Sequence, residues 1–241
     1  MTKLNLTAII VAVVVIVGVL AGVFLLLSKG NETTVSANGN FQMKVAPDEA
    51  VVYLLVQTKG ATAEAAKNEN ARISDSVLTS LIKTGIERKD IQTENFNIYP
   101  EYDWSNGTQT LIDYAASNNL KVTTTDFNNV GKIVDASVDS GALVSYINFE
   151  LSNAKNNEFK AVALANASLD GKRKAEAIAA GLGKKIGDLV SVQSSDYNYA
   201  PYPLYRSDMV AEGVAVKSVS TNIQPTTLDI TATVSVTYKL K

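Results

Sequence analysis

Two pairs of carboxylates come nearest to a reactive arrangement in this chain. Asp135 and Asp139 stand one helical turn apart, and Glu101 and Asp103 flank a single residue, so either pair could share a divalent cation. Neither has the ligand count or spacing of a calcium loop, and a solvated acidic face is the plainer reading. The 241 residues include no Cys and no His. Thiolate nucleophiles, Ser-His-Asp relays, Cys-His metal sites and imidazole acid–base catalysis are therefore excluded for a single chain. Carboxylates, Lys, Tyr and Ser remain, in no recognisable constellation. No catalytic residue, metal ligand or cofactor is assigned, and the chain reads as a non-enzyme.

Residues suited to recognition are more plentiful. Tyr102, Trp104 and Tyr114 surround an Asn-Gly turn, and Tyr197, Tyr199, Tyr202 and Tyr205 alternate with Pro201 and Pro203 in what reads as an irregular segment. An aromatic ring buries much area at low entropy cost, so both groups are candidate contacts between copies of the chain, although the second could equally cover an open end of the domain. Asn31, Asn106 and Asn166 each head an N-x-Ser/Thr sequon and are possible glycosylation acceptors. Lys172, Arg173 and Lys174 form a charge run that a solvated helix face explains. With a net charge of -2 and no basic stripe, nucleic acid is not an expected partner.

These residues need elements to position them. Val51 to Thr58 is a run of β-formers and reads as a buried strand. A helix follows, capped by Thr62 or Thr58, with Ala66, Ile73, Val77 and Leu81 at helical spacing and Gly85 at its end. Glu64, Lys67, Glu69 and Arg72 take its outer face. Ile91 to Tyr99 alternates as a second strand that Pro100 should break. Asn106-Gly107 favours a tight reversal, so the chain should return through Leu111 to Thr125 as a long hairpin. Thr125-Asp126 caps a helix over Phe127 to Ser140, with Phe127, Val130, Ile133, Val134 and Val138 inward and Gly141 as terminator. Ala142 to Leu151 alternates again.

The longest helix is expected from Asn157 to Ala180, with Phe159, Val162, Leu169, Ala175, Ile178 and Ala179 toward a sheet. Gly171 weakens its middle by about 1 kcal/mol relative to Ala, which is tolerable where a neighbour packs close. Leu189 to Gln193 is a short strand. Leu228 to Leu240 shows the cleanest alternation in the chain, so one face of the sheet is buried and one wet. The expected class is α+β, an antiparallel β-sheet with helices packed on one face.

Ahead of this domain, Thr7 to Leu27 is an apolar run without a charge, long enough to cross a bilayer as one helix. A cleavable signal would have an apolar core of about 7 to 15 residues and a small-residue site close behind it. Here Val35-Ser36-Ala37 lies well beyond Leu27, so an uncleaved anchor is the better reading. The start of the run lacks the Gly and the early acidic residue of a prepilin. The layout is a stub over 1–6, a transmembrane helix or uncleaved signal anchor over 7–27, a tether over 28–34 and an extracytoplasmic domain over 35–241. Lys3 and the amino terminus, set against Lys29 and Glu32, favour an outside C-terminal domain on a single-pass cell-membrane protein.

The ordered set of motifs resembles the SIMPL domain family of bacterial and archaeal envelope proteins, often described as periplasmic immunogenic or oxidative-stress-related. It comprises Val35-Ser36-Ala37-Asn38-Gly39, Ala46-Pro47-Asp48-Glu49-Ala50, Gly85-Ile86, Asp90-Ile91-Gln92-Thr93 and Tyr99-Pro100-Glu101-Tyr102. It continues through Tyr114-Ala115-Ala116-Ser117, Asp139-Ser140-Gly141-Ala142, Ile147-Asn148-Phe149-Glu150-Leu151-Ser152 and Lys174-Ala175-Glu176-Ala177-Ile178-Ala179, leading to Gly181-Leu182-Gly183. Departures are Gly171, where the family usually has Ala, and a membrane helix where many members have a cleavable signal. The resemblance implies an extracytoplasmic α+β domain in a family where ring-like oligomers are known, with no established catalytic residues. Pro47-Asp48 as a turn, Gly85 and Gly141 as helix terminators and Tyr99-Pro100 as a strand end also have a purely structural account. The leading expectation is a membrane-anchored homo-oligomer, an envelope scaffold or stress-related factor. The alternative is a ligand-binding or chaperone-like module using a sheet groove or ring lumen, its small-molecule ligand unidentified. A hydrolase ranks third.

Overall fold

The computed structural model describes residues 15–19, 33–104, 107–200, 202–206 and 225–241. Residues 15–19 are helical and exposed. The remainder of the apolar run lies outside the described residues, so the expected spanning helix does too. Among the described residues, no helix is long and apolar enough to cross a membrane.

The chain forms two compact units, one of Gln42–Ala163 with Tyr197–Ala232, the other of the segment through Phe41 with Leu164–Asp196 and Thr233–Lys241. The class is α+β as expected, but with two sheets in place of one. A five-stranded sheet has the order β3-β4-β2-β5-β7 and a three-stranded sheet the order β1-β8-β6.

The larger unit is organised by β2 (Glu49–Gly60), which pairs antiparallel with β4 (Thr110–Thr124) on one side and β5 (Leu143–Glu150) on the other. β3 (Ile91–Asp103) and β7 (Tyr202–Arg206) complete the sheet, also antiparallel. Ala50, Val52, Leu54 and Val56 of β2 share one face with Leu120 and Val122 of β4. There they form a core with Val77 and Leu81 of α1 (Ala63–Lys83) and with Val130, Ile133 and Val134 of α2 (Asn129–Asp139). Alternate residues of β2 thus lie under two helices, while on its other face Val51 is also buried and Tyr53, Leu55 and Gln57 are partly or fully exposed. Thr62 caps α1, its side chain accepting from Ala65 N–H at 3.1 Å, while Thr58 instead donates to Ala66 O from a buried position.

Several boundaries differ from expectation, each for a local reason. Pro100 does not break its strand: β3 runs through to Asp103, because it is an edge strand and the missing N–H costs no ladder bond there. Asp103 stands opposite Thr110, so the expected long hairpin forms; Asn106 lies outside the described residues and Gly107 has φ 73. In α2, Ser137 takes the inward position, donating to Ile133 O at 2.6 Å, and Val138 is exposed. Phe127 precedes the helix and meets Phe149 edge-on at 5.3 Å. Tyr197 and Tyr199 belong to a strand, β6 (Ile186–Tyr199), and Tyr202 and Tyr205 to β7, so the segment expected to be irregular is largely extended.

The start of α3 (Asn153–Gly181) is held by a motif distant in sequence. Asp48 accepts from Ser152 N–H through one carboxylate oxygen and from Ser152 Oγ through the other, both at 2.7 Å, and Ser152 Oγ accepts from Lys155 N–H at 3.3 Å. The turn expected of Pro47-Asp48 thus places the carboxylate that seats the cap of α3. Asp48→Ala should cost about 1–2 kcal/mol, read as a lowered denaturation midpoint, and an unchanged midpoint would show that water replaces the carboxylate.

The smaller unit contains β1 (Thr34–Val45, to Phe41), most of β6, the end of β8 (Leu228–Leu240) and α3 from Leu164. β1 was not legible as a strand, since Gly and Asn interrupt its alternation. Leu240 N–H donates to Thr33 O at 2.8 Å, and Ser36 meets Thr237 at 2.9 Å, so β1 and β8 run antiparallel. Here α3 buries Ala175 and Ala179 as expected, together with Ala167, but turns Leu169 and Ile178 outward, contrary to expectation. The physical reason is distance. A Cβ on Gly39 would lie 1.8 Å from Ala167 O and 2.3 Å from Gly171 N, so backbone meets backbone and only small residues fit. Gly171 therefore has the close neighbour that its place in a helix required. Lys174 donates to Asn38 O at 3.1 Å and pairs with Asp170, which accepts from Asn40 N–H at 2.9 Å. Lys174 and then the Asn40 amide hold the Asp170 carboxyl below its usual range.

Candidate functional site

The five-stranded sheet carries a recess where its pairing is twice interrupted. Leu54 of β2 stands opposite Leu120 of β4. On one side of this row β5 passes from Tyr146, opposite Tyr53, to Val144, opposite Leu54, leaving Ser145 as an extra residue. On the other side β3 passes from Thr93, opposite Leu120, to Asn95, opposite Asn119, leaving Glu94 extra. Two β-bulges thus flank the central strand pair at one level, and a bulge both bends its strand and re-aims a side chain. Between them lies a cavity of about 260 Å³ lined by Tyr53, Leu54, Glu94, Asn95, Asn119, Leu120, Ser145 and Tyr146.

Tyr53 and Tyr146 are a cross-strand pair whose rings stack at 4.1 Å with 21° between planes. Such a pair stabilises its ladder position by about 0.5–1.5 kcal/mol beyond area burial. Burial raises both hydroxyls above their ordinary ionisation range, and the carboxylates of Glu150 and Glu94 push further in the same direction. The recess is therefore aromatic and electronegative. A second cavity of about 260 Å³, lined by Glu49, Glu87, Asp90, Asp126 and Thr123 to Thr125, opens near the start of α2. Burial, then Asp48 and Glu150, raises the Glu49 carboxyl there.

The aromatics singled out from sequence take different positions. Trp104 is 69% exposed and Tyr102 42%, at the far end of the β3–β4 hairpin with Ile112, 61% exposed. Tyr114 is half-buried opposite Pro100. At the hairpin's flank Lys59 forms an ion pair with Glu101, which lowers that carboxyl. Tyr197 donates to Asn156 Oδ1 at 2.5 Å, and Tyr199 Oη accepts from Leu151 N–H at 2.6 Å. Tyr202 stands opposite Phe149 and Tyr205 opposite Ile147 across β5 and β7. Asp135 and Asp139 are exposed on α2, and among the described residues no group of three or more acidic side chains could hold a metal ion. Asn166 is half-buried on α3, and Asn31 and Asn106 lie outside the described residues. The recess residues Tyr53, Glu94, Ser145 and Tyr146 were missed. Their only signal is the extra residue in each flanking strand, which is invisible until the register is known.

Burial pushes the Tyr199 hydroxyl up to about 12 from 10.0, outweighing the Leu151 N–H bond that draws it down. Tyr53, Tyr146 and Tyr197 shift in the same direction, burial first. The unfolded phenols ionise first, so the associated stability is complete below about pH 10 and is lost as pH rises through about 12. Denaturant midpoints measured stepwise should fall across that window; a flat or rising profile would contradict the assignment.

An antiparallel α+β domain with helices packed on its larger sheet and an aromatic recess within that sheet defines the class. Residues 35–238 match SIMPL, a protein family of unknown function (DUF541), and the chain belongs to that family. It is similar to a 26 kDa periplasmic immunogenic protein of Brucella melitensis, 32% identical over 179 residues that cover 70% of this chain and 69% of the relative. It is also similar to the uncharacterized protein YggE of Escherichia coli strain K12, 24% identical over 212 residues, covering 86% of this chain and 85% of the relative.

Proposed function

We propose that this chain is a non-enzymatic, membrane-anchored extracytoplasmic protein that self-associates into an envelope scaffold or stress-related assembly. The observation that carries this reading is β6. It is an edge strand, and it exposes Leu189 (52%) on one side and Val190 (49%) and Val192 (50%) on the other. A long edge with apolar side chains on both faces and unpaired backbone groups is a template for another strand, and a second copy of the chain supplies one. The hairpin end with Tyr102, Trp104 and Ile112 adds a second apolar surface. The extracytoplasmic placement is supported by the apolar run over 7–27 and by the periplasmic name of the Brucella relative.

Light scattering of the full chain in nonionic detergent should give one discrete oligomer, and Val190→Lys should reduce it toward the monomer. Trp104→Ala should also lower the assembly size if the hairpin contributes. A monomeric parent protein would overturn the scaffold reading. Removing residues 1–30 should move the protein from the membrane fraction to the supernatant; retention in the membrane would overturn anchoring by the apolar run.

A further inference from the structure

We propose that the recess between the two bulges binds a small organic cation, an ammonium or guanidinium group carried on a short carbon frame. Three features support this assignment. The first is the ring pair: stacked phenols present electron-rich faces, and a cation over such a face is stabilised electrostatically, more so where water is partly excluded. The second is the charge of the lining. Glu94 is its one acidic residue, and the other polar contributors are the Asn95 and Asn119 amides and the Ser145 and tyrosine hydroxyls, all able to accept from N–H donors. Lys121 stands opposite Tyr53 but does not line the recess. Its charge is felt at Glu49, where it lowers the carboxyl pKa. Glu150 adds a second negative field on both rings. An anion would therefore be repelled and a cation drawn in.

The third feature is the geometry of the backbone. Glu94 is the extra residue of one bulge and Ser145 that of the other, and both face the same cavity. Without its bulge, neither strand would bring these side chains to this row of the sheet, since residues alternate faces strictly along a regular strand. The sheet's other register shifts fall at Glu101–Tyr102 and, between β5 and β7, at Ile147–Asn148, but only these two place their extra residues together at one recess, which a binding site requires and packing alone does not. The volume of about 260 Å³ suits an amino-acid-sized or diamine-sized ligand.

The test is isothermal titration of the full chain in nonionic detergent with cadaverine and with arginine methyl ester. Pentanediol serves as the neutral analogue of the diamine frame, and glutarate as the anionic one. One saturable site per chain is expected for at least one of the two cations, weakened by added salt, with the diol and the diacid at least about tenfold weaker. Glu94→Gln, at an exposed position, should weaken the cation about tenfold while leaving the far-ultraviolet circular dichroism and oligomer mass unchanged. Tyr146→Leu should weaken it to a similar extent. The inference is overturned by absence of saturable binding of both cations, by diol binding as tight as that of the diamine, or by unchanged cation affinity in Glu94→Gln. Because Glu94 is not on β6 and lies near the opposite end of β3 from Tyr102 and Trp104, loss of binding with the assembly intact separates this site from the scaffold surface.

Discussion

Gly39→Ala is expected to lower the unfolding free energy by about 3 kcal/mol, far more than a single methyl usually costs. The added Cβ would stand 1.8 Å from Ala167 O, 2.3 Å from Gly171 N and 2.8 Å from Gly171 Cα. All three are backbone atoms, so no side chain can rotate away, and β1 or α3 would have to shift. Moving either disturbs the bonds of Asn40 N–H and Lys174 to Asp170 and of Lys174 to Asn38 O. The converse substitution gives a contrast. A Cβ at Gly171 meets Val236 Cγ2 at 3.0 Å and Gly39 N at 3.2 Å, tight contacts offset by the helix propensity that alanine restores, about 1 kcal/mol. Gly171→Ala is therefore expected within about 1 kcal/mol of the parent. Denaturant unfolding of both proteins checks the pair. Equal losses, or an undisturbed Gly39→Ala, would mean that strand and helix stand further apart than described.

The second large effect is expected at Asn70. Its side chain is fully buried on α1 and donates to Val56 O at 2.8 Å and to Ala116 O at 3.1 Å, joining β2 and β4 to the helix above them. Its own oxygen accepts from Ser74 Oγ at 3.3 Å, and Ser74 in turn accepts from Asn118 Nδ2 at 3.0 Å. A buried carbonyl left without a donor costs about 1–3 kcal/mol, and Asn70→Leu strands two at similar side-chain volume, so a loss of about 3 kcal/mol is expected. Asn70→Asp should be at least as costly, since a carboxylate cannot donate to a carbonyl. If Asn70→Leu proves within about 1 kcal/mol of the parent, water has entered to satisfy both carbonyls.

Asn70 also shows where sequence reasoning stopped. It falls on the same helical stripe as Ala66, Ile73, Val77 and Leu81, and that stripe was legible from spacing alone. A lone Asn on an apolar stripe announces only that it must find partners; the partners lie on strands 14 and 46 residues away. Pro100 is the reverse case. The rule that proline breaks a strand applies to central strands, and only the sheet order places β3 at an edge. The long helix was recognised as a helix, and Ala175 and Ala179 were placed on its buried face, but Leu169 and Ile178 were placed there with them and are exposed. Periodicity ranks residues by hydrophobicity, whereas the approach of β1 selects by size, and the stripe through Ala167, Gly171, Ala175 and Ala179 is the one that fits.

What the sequence determined by itself is what depends on neighbours along the chain. The absence of Cys and His, the apolar run, the β-forming run of β2, the alternation of β8, the helix end at Gly141, the hairpin around Gly107 and the order of motifs that defines the family are all local or compositional. The tertiary structure alone decided the division into two sheets, the contact of Gly39 with α3, the seating of Ser152 by Asp48 and the recess between Glu94 and Ser145. Each of these rests on register or on distance between segments remote in sequence. A single extra residue in a strand moves every later side chain to the opposite face, and no local pattern records which residue is the extra one.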